Sequence, residues 1–158
     1  MTDPLRHLNP TERSCLLSYV SHLRASLGAE LIEVWLFGSF ARGDTWPPHM
    51  PMNSDIDLLI VTTTEIDSAR RDAFVNETYP LYLESGRQIS PQFWSAAKFA
   101  SPPTNAALTF KQVLLAQGAI VFSASPARNF ASTGPFMARL PHTCAMCGGE
   151  VDSCPHRR

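Results

Sequence analysis

Two stretches decide the fold of this chain: Gly38-Ser39-Phe40-Ala41-Arg42-Gly43 and Ser54-Asp55-Ile56-Asp57. An apolar run, Leu31 to Phe37, stops at the first stretch, and a second apolar run, Leu58 to Val61, begins directly after the other. An apolar run that ends at Gly-Ser is typical of a buried strand entering a tight turn. Each motif is therefore predicted to lie at the end of a strand, at the rim of a core.

The two aspartates of the second motif are predicted to point to the same side of their strand. Strand side chains alternate, so Asp55 and Asp57 share one face and Ile56 takes the other. Two carboxylates at this spacing repel each other when both are ionised, and burial adds to the cost. Mg²⁺ is often bound by one or two carboxylates together with water and substrate phosphates. The pair therefore predicts an Mg²⁺ site.

The Gly38-Ser39 turn is suited to a phosphate. Glycine allows a ligand to approach the backbone, serine adds a hydroxyl, and a helix that begins there directs N–H groups at an anion. Either motif alone is also common as a plain turn or a helix cap. Their combination in this order favours a nucleotide site over those structural roles.

The pair of motifs resembles the signature of the DNA polymerase beta nucleotidyltransferase superfamily, in particular its small minimal-nucleotidyltransferase type. The resemblance covers residues 10–125 and implies an α/β (α+β) fold, a small mixed β-sheet with helices packed mainly on one side. It implies that Asp55 and Asp57 are the catalytic Mg²⁺ ligands. The candidate nucleotide-binding residues, with ATP as substrate, are then Gly38, Ser39, Arg42 and Ser54.

One part of the family pattern is missing. In the family a third carboxylate on a later strand activates the attacking hydroxyl, and here Ser90 falls at that position. Serine is neither a general base at neutral pH nor a strong Mg²⁺ ligand. Glu84 is the nearest acid, and it would reach the site only if the preceding helix ended early.

Two functions remain open on these grounds. The first is an Mg²⁺-dependent enzyme that transfers NMP, in the first instance AMP from ATP, to a hydroxyl of a protein or small molecule. The resemblance extends to antitoxins of toxin–antitoxin pairs, which act beside a helical toxin. The second is a binding module that senses nucleotide or neutralises a partner without turnover, and Ser90 favours it.

Composition and net charge bear on the partners and the location of the protein. The chain has 158 residues, enough for one domain with a core, and a net charge of −1. Such a charge argues against long nucleic acid as a partner. The sequence shows neither an apolar run of membrane-span length nor a signal-peptide core, so the cytoplasm is the expected location.

Periodicity predicts the remaining elements. Helices are expected over 11–28, 66–84 (kinked or split at Pro80) and 104–116, with strands over 31–37, 55–61, 87–91 and 119–122, and short helical turns at 39–42 and 93–99. Leu17, Tyr79 and Leu83 are expected among the packing residues. Residues 44–53 form a proline-broken loop, whose Trp46 is expected to pack on the body rather than flank a substrate.

The last part of the chain changes character. Residues 126–141 have the composition of a linker, and residues 142–158 form a Cys/His-rich tail. Cys144, Cys147, Cys154 and His156 are ligand types that zinc prefers, and His142 could replace His156. A structural zinc knuckle and a tail that binds no metal both remain open.

Overall fold

The computed structural model describes residues 3–47, 49 and 53–125. Over those ranges the elements are α1 Pro10–Leu27, β1 Leu31–Phe37, α2 Ser39–Arg42, β2 Ile56–Thr62, α3 Ser68–Asn76, α4 Thr78–Ser85, β3 Ile89–Ser95, α5 Ala96–Ala100, α6 Asn105–Gln117 and β4 Ala119–Ser123. None of these helices is long and apolar enough to cross a membrane. The predicted linker and Cys/His-rich tail lie outside the described residues.

The four strands form one mixed sheet in the order β3-β2-β1-β4. Strand β1 pairs antiparallel with both β2 and β4, whereas β3 runs parallel to β2. In this register Asp57 of β2 lies opposite Phe37 on one side and Ser90 on the other. The mixed sheet confirms the predicted fold class, and its pairing brings the end of β1 beside the starts of β2 and β3.

Apolar layers cover both faces of the sheet. Helices α1 and α3 pack on one face, in a layer that includes Ile56, Leu58 and Ile60 of β2. Leu59 and Val61 belong to the other layer, with Leu114 of α6. Because β2 alternates as predicted, the face that carries the aspartates continues into the layer beneath α6.

The predicted helix over 66–84 is two helices. The break between α3 and α4 falls at Glu77 rather than at Pro80. Pro80 is the third residue of α4, where its missing N–H costs no helical hydrogen bond. Strand β3 runs to Ser95, four residues further than predicted, because it pairs with β2 along its whole length. Proline is tolerated there because β3 is an edge strand.

Three large apolar residues predicted to pack are exposed instead: Leu17 (45%), Tyr79 (61%) and Leu83 (66%). The buried face of α1 includes Leu16, Val20, Leu23 and Leu27, and Leu17 lies beside it. Since α4 starts anew at Thr78, its buried face is set by its own contacts rather than by a periodicity inherited from α3. The prediction is wrong for Tyr79 and Leu83 for that reason, and for Leu17 because it lies beside the buried face of α1.

Candidate active site

The two aspartates lie at the beginning of β2. Asp55 directly precedes the strand, Asp57 is its second residue, and both are half-buried. The hydroxyl of Ser90 donates to Oδ2 of Asp55 at 3.3 Å. The structure therefore brings Asp55, Asp57 and Ser90 together, and Ser90 stands beside the carboxylates where the sequence pattern placed it.

The surroundings of Asp57 disfavour its ionised form. Burial, with a further contribution from the charge of Asp55, raises its pKa from the ordinary 3.8 to about 6, while the charge of Arg42 opposes the rise. Phe37 is the cross-strand neighbour of Asp57, and its ring packs edge-on against Phe110. A cation bound between the carboxylates would remove this cost, so the donor set fits Mg²⁺.

Gly38 brings the turn after β1 against Asp57. Its φ is +73°, and a Cβ at this position would lie 2.5 Å from Oδ2 of Asp57. Any other residue would therefore displace the carboxylate and would also strain the backbone. The two sequence motifs touch at this point, which makes them parts of one site.

The start of α2 presents two backbone N–H groups without a helical partner. The first helical donors are the N–H groups of Ala41 and Arg42, which reach the Gly38 carbonyl oxygen at 3.2 and 3.1 Å. The N–H groups of Ser39 and Phe40 precede them and so have no partner within the helix. Backbone N–H groups in this arrangement are suited to a phosphate, which would then lie next to Asp57.

The loop between the motifs is closed at its base by Trp46 and Ser54. The Ser54 hydroxyl accepts a hydrogen bond from the Trp46 N–H at 2.7 Å, and Ser54 is buried. A contact between Ser54 and nucleotide thus stays a prediction, while its observed role is to close the loop. The Trp46 side chain is 55% exposed, so the expectation that it packs on the body is wrong.

A comparison with protein families agrees with this geometry. The family model described as "Polymerase beta, Nucleotidyltransferase" matches residues 25–127, well over half of the chain. The chain belongs to the polymerase beta nucleotidyltransferase family. No curated protein matches it.

Solved structures with a similar chain include several toxin–antitoxin complexes. One, with AMP-PNP, matches at 18% identity and a TM-score of 0.47, over 73% of this chain and 81% of that chain. An MntA-HepT complex matches at 16% identity and a TM-score of 0.45, over 77% of this chain and 81% of that chain. A complex of tri-AMPylated Shewanella oneidensis HEPN toxin with MNT antitoxin matches at 14% identity and a TM-score of 0.45, over 75% of this chain and 77% of that chain. Likeness at this level carries no conclusion about substrate or partner.

The nucleotidyltransferase domain has two carboxylates at this site and no third one among the described residues. Glu84 is exposed and lies in α4, which continues to Ser85. Its charge acts on Cys15 of α1, whose pKa is raised by burial first and by Glu84 second. The described ranges contain no group of three or more His, Cys, Asp and Glu side chains placed for a metal. Glu84 therefore does not replace the missing acid.

Arg87 was not predicted as a site residue. This buried arginine of the nucleotidyltransferase domain pairs with Glu12, 75 positions earlier in the chain. It also donates to the carbonyl oxygens of Trp46 and Ser54 at the base of the loop. The one available signal in the sequence was that Arg87 is a charged residue beside an apolar run, and this signal did not indicate which residue it would pair with.

A cavity of about 480 Å³ lies at the opposite end of the parallel strand pair. Its lining includes Glu65 after β2, Ser95 at the end of β3, and Lys98 in α5. Strand β2 has seven residues and so spans ~20 Å. The cavity is therefore separate from the carboxylates at the start of β2.

Proposed function

We propose that the protein is an Mg²⁺-dependent nucleotidyltransferase that transfers NMP, AMP from ATP in the first instance, to a hydroxyl of a protein or small molecule. The observation that carries the proposal is the contact between Gly38 and Asp57, because it joins a phosphate-binding turn to a pair of carboxylates. In the transfer, the acceptor oxygen bonds to the α-phosphorus and pyrophosphate leaves. Family membership supports the reaction class.

Each residue has a role that follows from its position. Asp55 and Asp57 hold Mg²⁺, which when bound stabilises charge on the transferred phosphoryl group. The N–H groups at the start of α2 and the Ser39 hydroxyl hold phosphate oxygens. Arg42, whose charge opposes the rise in the pKa of Asp57, adds positive potential beside the phosphates. Ser90 orients Asp55 through its hydrogen bond.

Ser90 does not take the proton of the acceptor hydroxyl, because serine is not a base at neutral pH. That proton passes to water, and we expect transfer to be slow relative to a three-carboxylate site. The acceptor that we propose is a protein partner, a helical toxin neutralised by this chain as its antitoxin. The proposal of this partner derives from the resemblance of the motifs.

The alternative function is a module that binds Mg-nucleotide or neutralises a partner without turnover. One observation favours it: Ser90 stands beside both aspartates, and no third carboxylate joins them within the described ranges. In this case the site would keep its binding geometry and lack only the base.

The deciding experiment is incubation with ATP labelled on the α-phosphate and Mg²⁺, alone and with the product of the neighbouring gene. Label transfer that is lost in Asp57→Ala supports the enzyme, whereas nucleotide binding without transfer supports the module. Failure to bind Mg-ATP would end the enzyme and the nucleotide-binding module, and would leave only a module that neutralises a partner without nucleotide. Ser90→Asp supplies the missing base, and we expect it to raise the transfer rate about 10²-fold, while the matched Ser90→Ala does not.

A further inference from the structure

Arg87, two residues before β3, contacts both motifs of the site. One guanidinium nitrogen, Nη1, donates to the carbonyl oxygen of Trp46 and, at 3.2 Å, to that of Ser54. Those two residues are the base of the loop between the motifs. The guanidinium carbon also lies 5.1 Å from the ring centroid of Phe40, inside the Gly-Ser motif. A single side chain thus joins segments that sequence separates by many residues.

The charge of Arg87 is balanced by Glu12. Nε donates to Oε1 of Glu12 at 2.8 Å, and both side chains are almost fully buried. The other Glu12 oxygen accepts the N–H of Asn9 at 2.9 Å, which anchors the carboxylate at the start of α1. A buried ion pair adds little net stability over apolar residues of the same shape, but it holds a defined geometry.

The pair acts on the site through the backbone next to Asp55. What Arg87 fixes is the carbonyl of Ser54, the residue before Asp55. Ile56, the residue after Asp55, is held by Gln88, the residue after Arg87, because the Ile56 N–H donates to the Gln88 carbonyl oxygen at 2.8 Å. Asp55 is therefore fixed on both sides by the chain leading into β3.

We propose that Arg87, with Glu12 as its counter-ion, is a positioning residue for Mg-nucleotide binding. It holds the base of the loop so that Asp55 and Asp57 face the Gly38 turn. The ligand in this proposal rests on the function proposed above, but the geometry of residues 54–57 can be tested without turnover.

The variant that tests the proposal is Arg87→Lys. Lysine keeps the charge and the aliphatic stem, but its ammonium lacks the planar fork that reaches Glu12 and two carbonyls together. The control is Tyr19→Phe, which removes another buried hydrogen bond, from the Tyr19 hydroxyl to the Phe74 carbonyl oxygen at 3.0 Å, in the α1–α3 contact. Calorimetry gives the Kd for Mg-ATP, and hydrogen exchange reports on the amides of residues 54–57.

We expect Arg87→Lys to weaken Mg-ATP binding about tenfold or more, since small displacements at such sites have large effects. Exchange should accelerate at residues 54–57 while the amides of Leu59 and Ile60 stay protected. Tyr19→Phe should lower the Tm yet leave the Kd unchanged. Equal loss of affinity in both variants, or unchanged exchange at 54–57 in Arg87→Lys, overturns the proposal.

Two further results are informative. If the wild-type protein binds no Mg-ATP, the proposed function fails, and the exchange pattern alone decides the positioning role. If Arg87→Lys does not fold, Glu12→Gln replaces it, because that change keeps the side-chain shape and removes the charge that fixes the guanidinium. The same local acceleration at 54–57 supports the proposal, and uniform acceleration across the sheet overturns it.

Discussion

Replacing Asp57 by asparagine removes a charge that the metal-free protein holds at a cost. The pKa of Asp57 is about 6 in the folded chain against an ordinary 3.8. Between these pH values the folded state binds a proton more readily than the unfolded chain. The stability of the wild-type protein therefore falls as the pH rises from about 4 to about 6, and the cost is fully present above 6.

The size of the effect follows from the same values. A difference of about 2 pH units corresponds to about 3 kcal/mol as an upper bound. Asp57 is half-buried, so solvent screening reduces the cost to about 1–2 kcal/mol. In a domain of this size, Asp57→Asn should raise the Tm of the metal-free protein by about 3–8 °C at neutral pH. Near pH 4 the difference should vanish, because the wild-type carboxyl is then protonated as well.

Thermal unfolding in EDTA at several pH values measures this difference. Adding Mg²⁺ should stabilise the wild-type protein by mass action and leave Asp57→Asn unchanged. The control is Asp72→Asn, which neutralises an exposed aspartate on α3 away from the site. If the Tm of Asp57→Asn in EDTA lies several degrees below that of the wild type, Asp57 is a structural residue and the metal-site argument fails.

Three further predictions concern the phosphate turn and the tail. Gly38→Ala places a methyl group against Asp57 at a positive φ, so it should abolish Mg-ATP binding and cost about 1–3 kcal/mol of stability; calorimetry that finds normal affinity would contradict this. Ser39→Ala should weaken ATP binding more than AMP binding, because its hydroxyl is expected on the β- and γ-phosphates, and equal losses would place it elsewhere. The zinc-knuckle hypothesis predicts about one zinc per chain in a metal analysis of untagged protein, lost in Cys144→Ser and Cys147→Ser; a metal-free protein would support the alternative, a tail that binds no metal.

Local sequence was enough to predict the elements that present the site. Alternation along β2 placed Asp55 and Asp57 on one face, ahead of Leu59 and Val61, and the structure confirms that alternation. The apolar run ending at Gly38 predicted the strand and the turn after it. These features were accessible because each depends on neighbouring residues of one segment: side-chain alternation, turn chemistry and helix capping all act over a few positions.

Helix contacts were harder to predict. The pattern over 66–84 did not show that the helix restarts at Thr78, and so it placed Leu83 in the core instead of on the surface. Periodicity gives the spacing of apolar residues along a helix. Which of its faces is buried is set by the neighbouring elements.

Only the tertiary structure decided how the site is assembled. Pairing between β1 and β2 puts Gly38 against Asp57, and the parallel register of β3 puts Ser90 beside both aspartates. The buried pair of Arg87 with Glu12 joins residues 75 positions apart. The energies of these contacts depend on strand order, register and burial, which arise when distant segments pack, and no local pattern in the sequence encodes them.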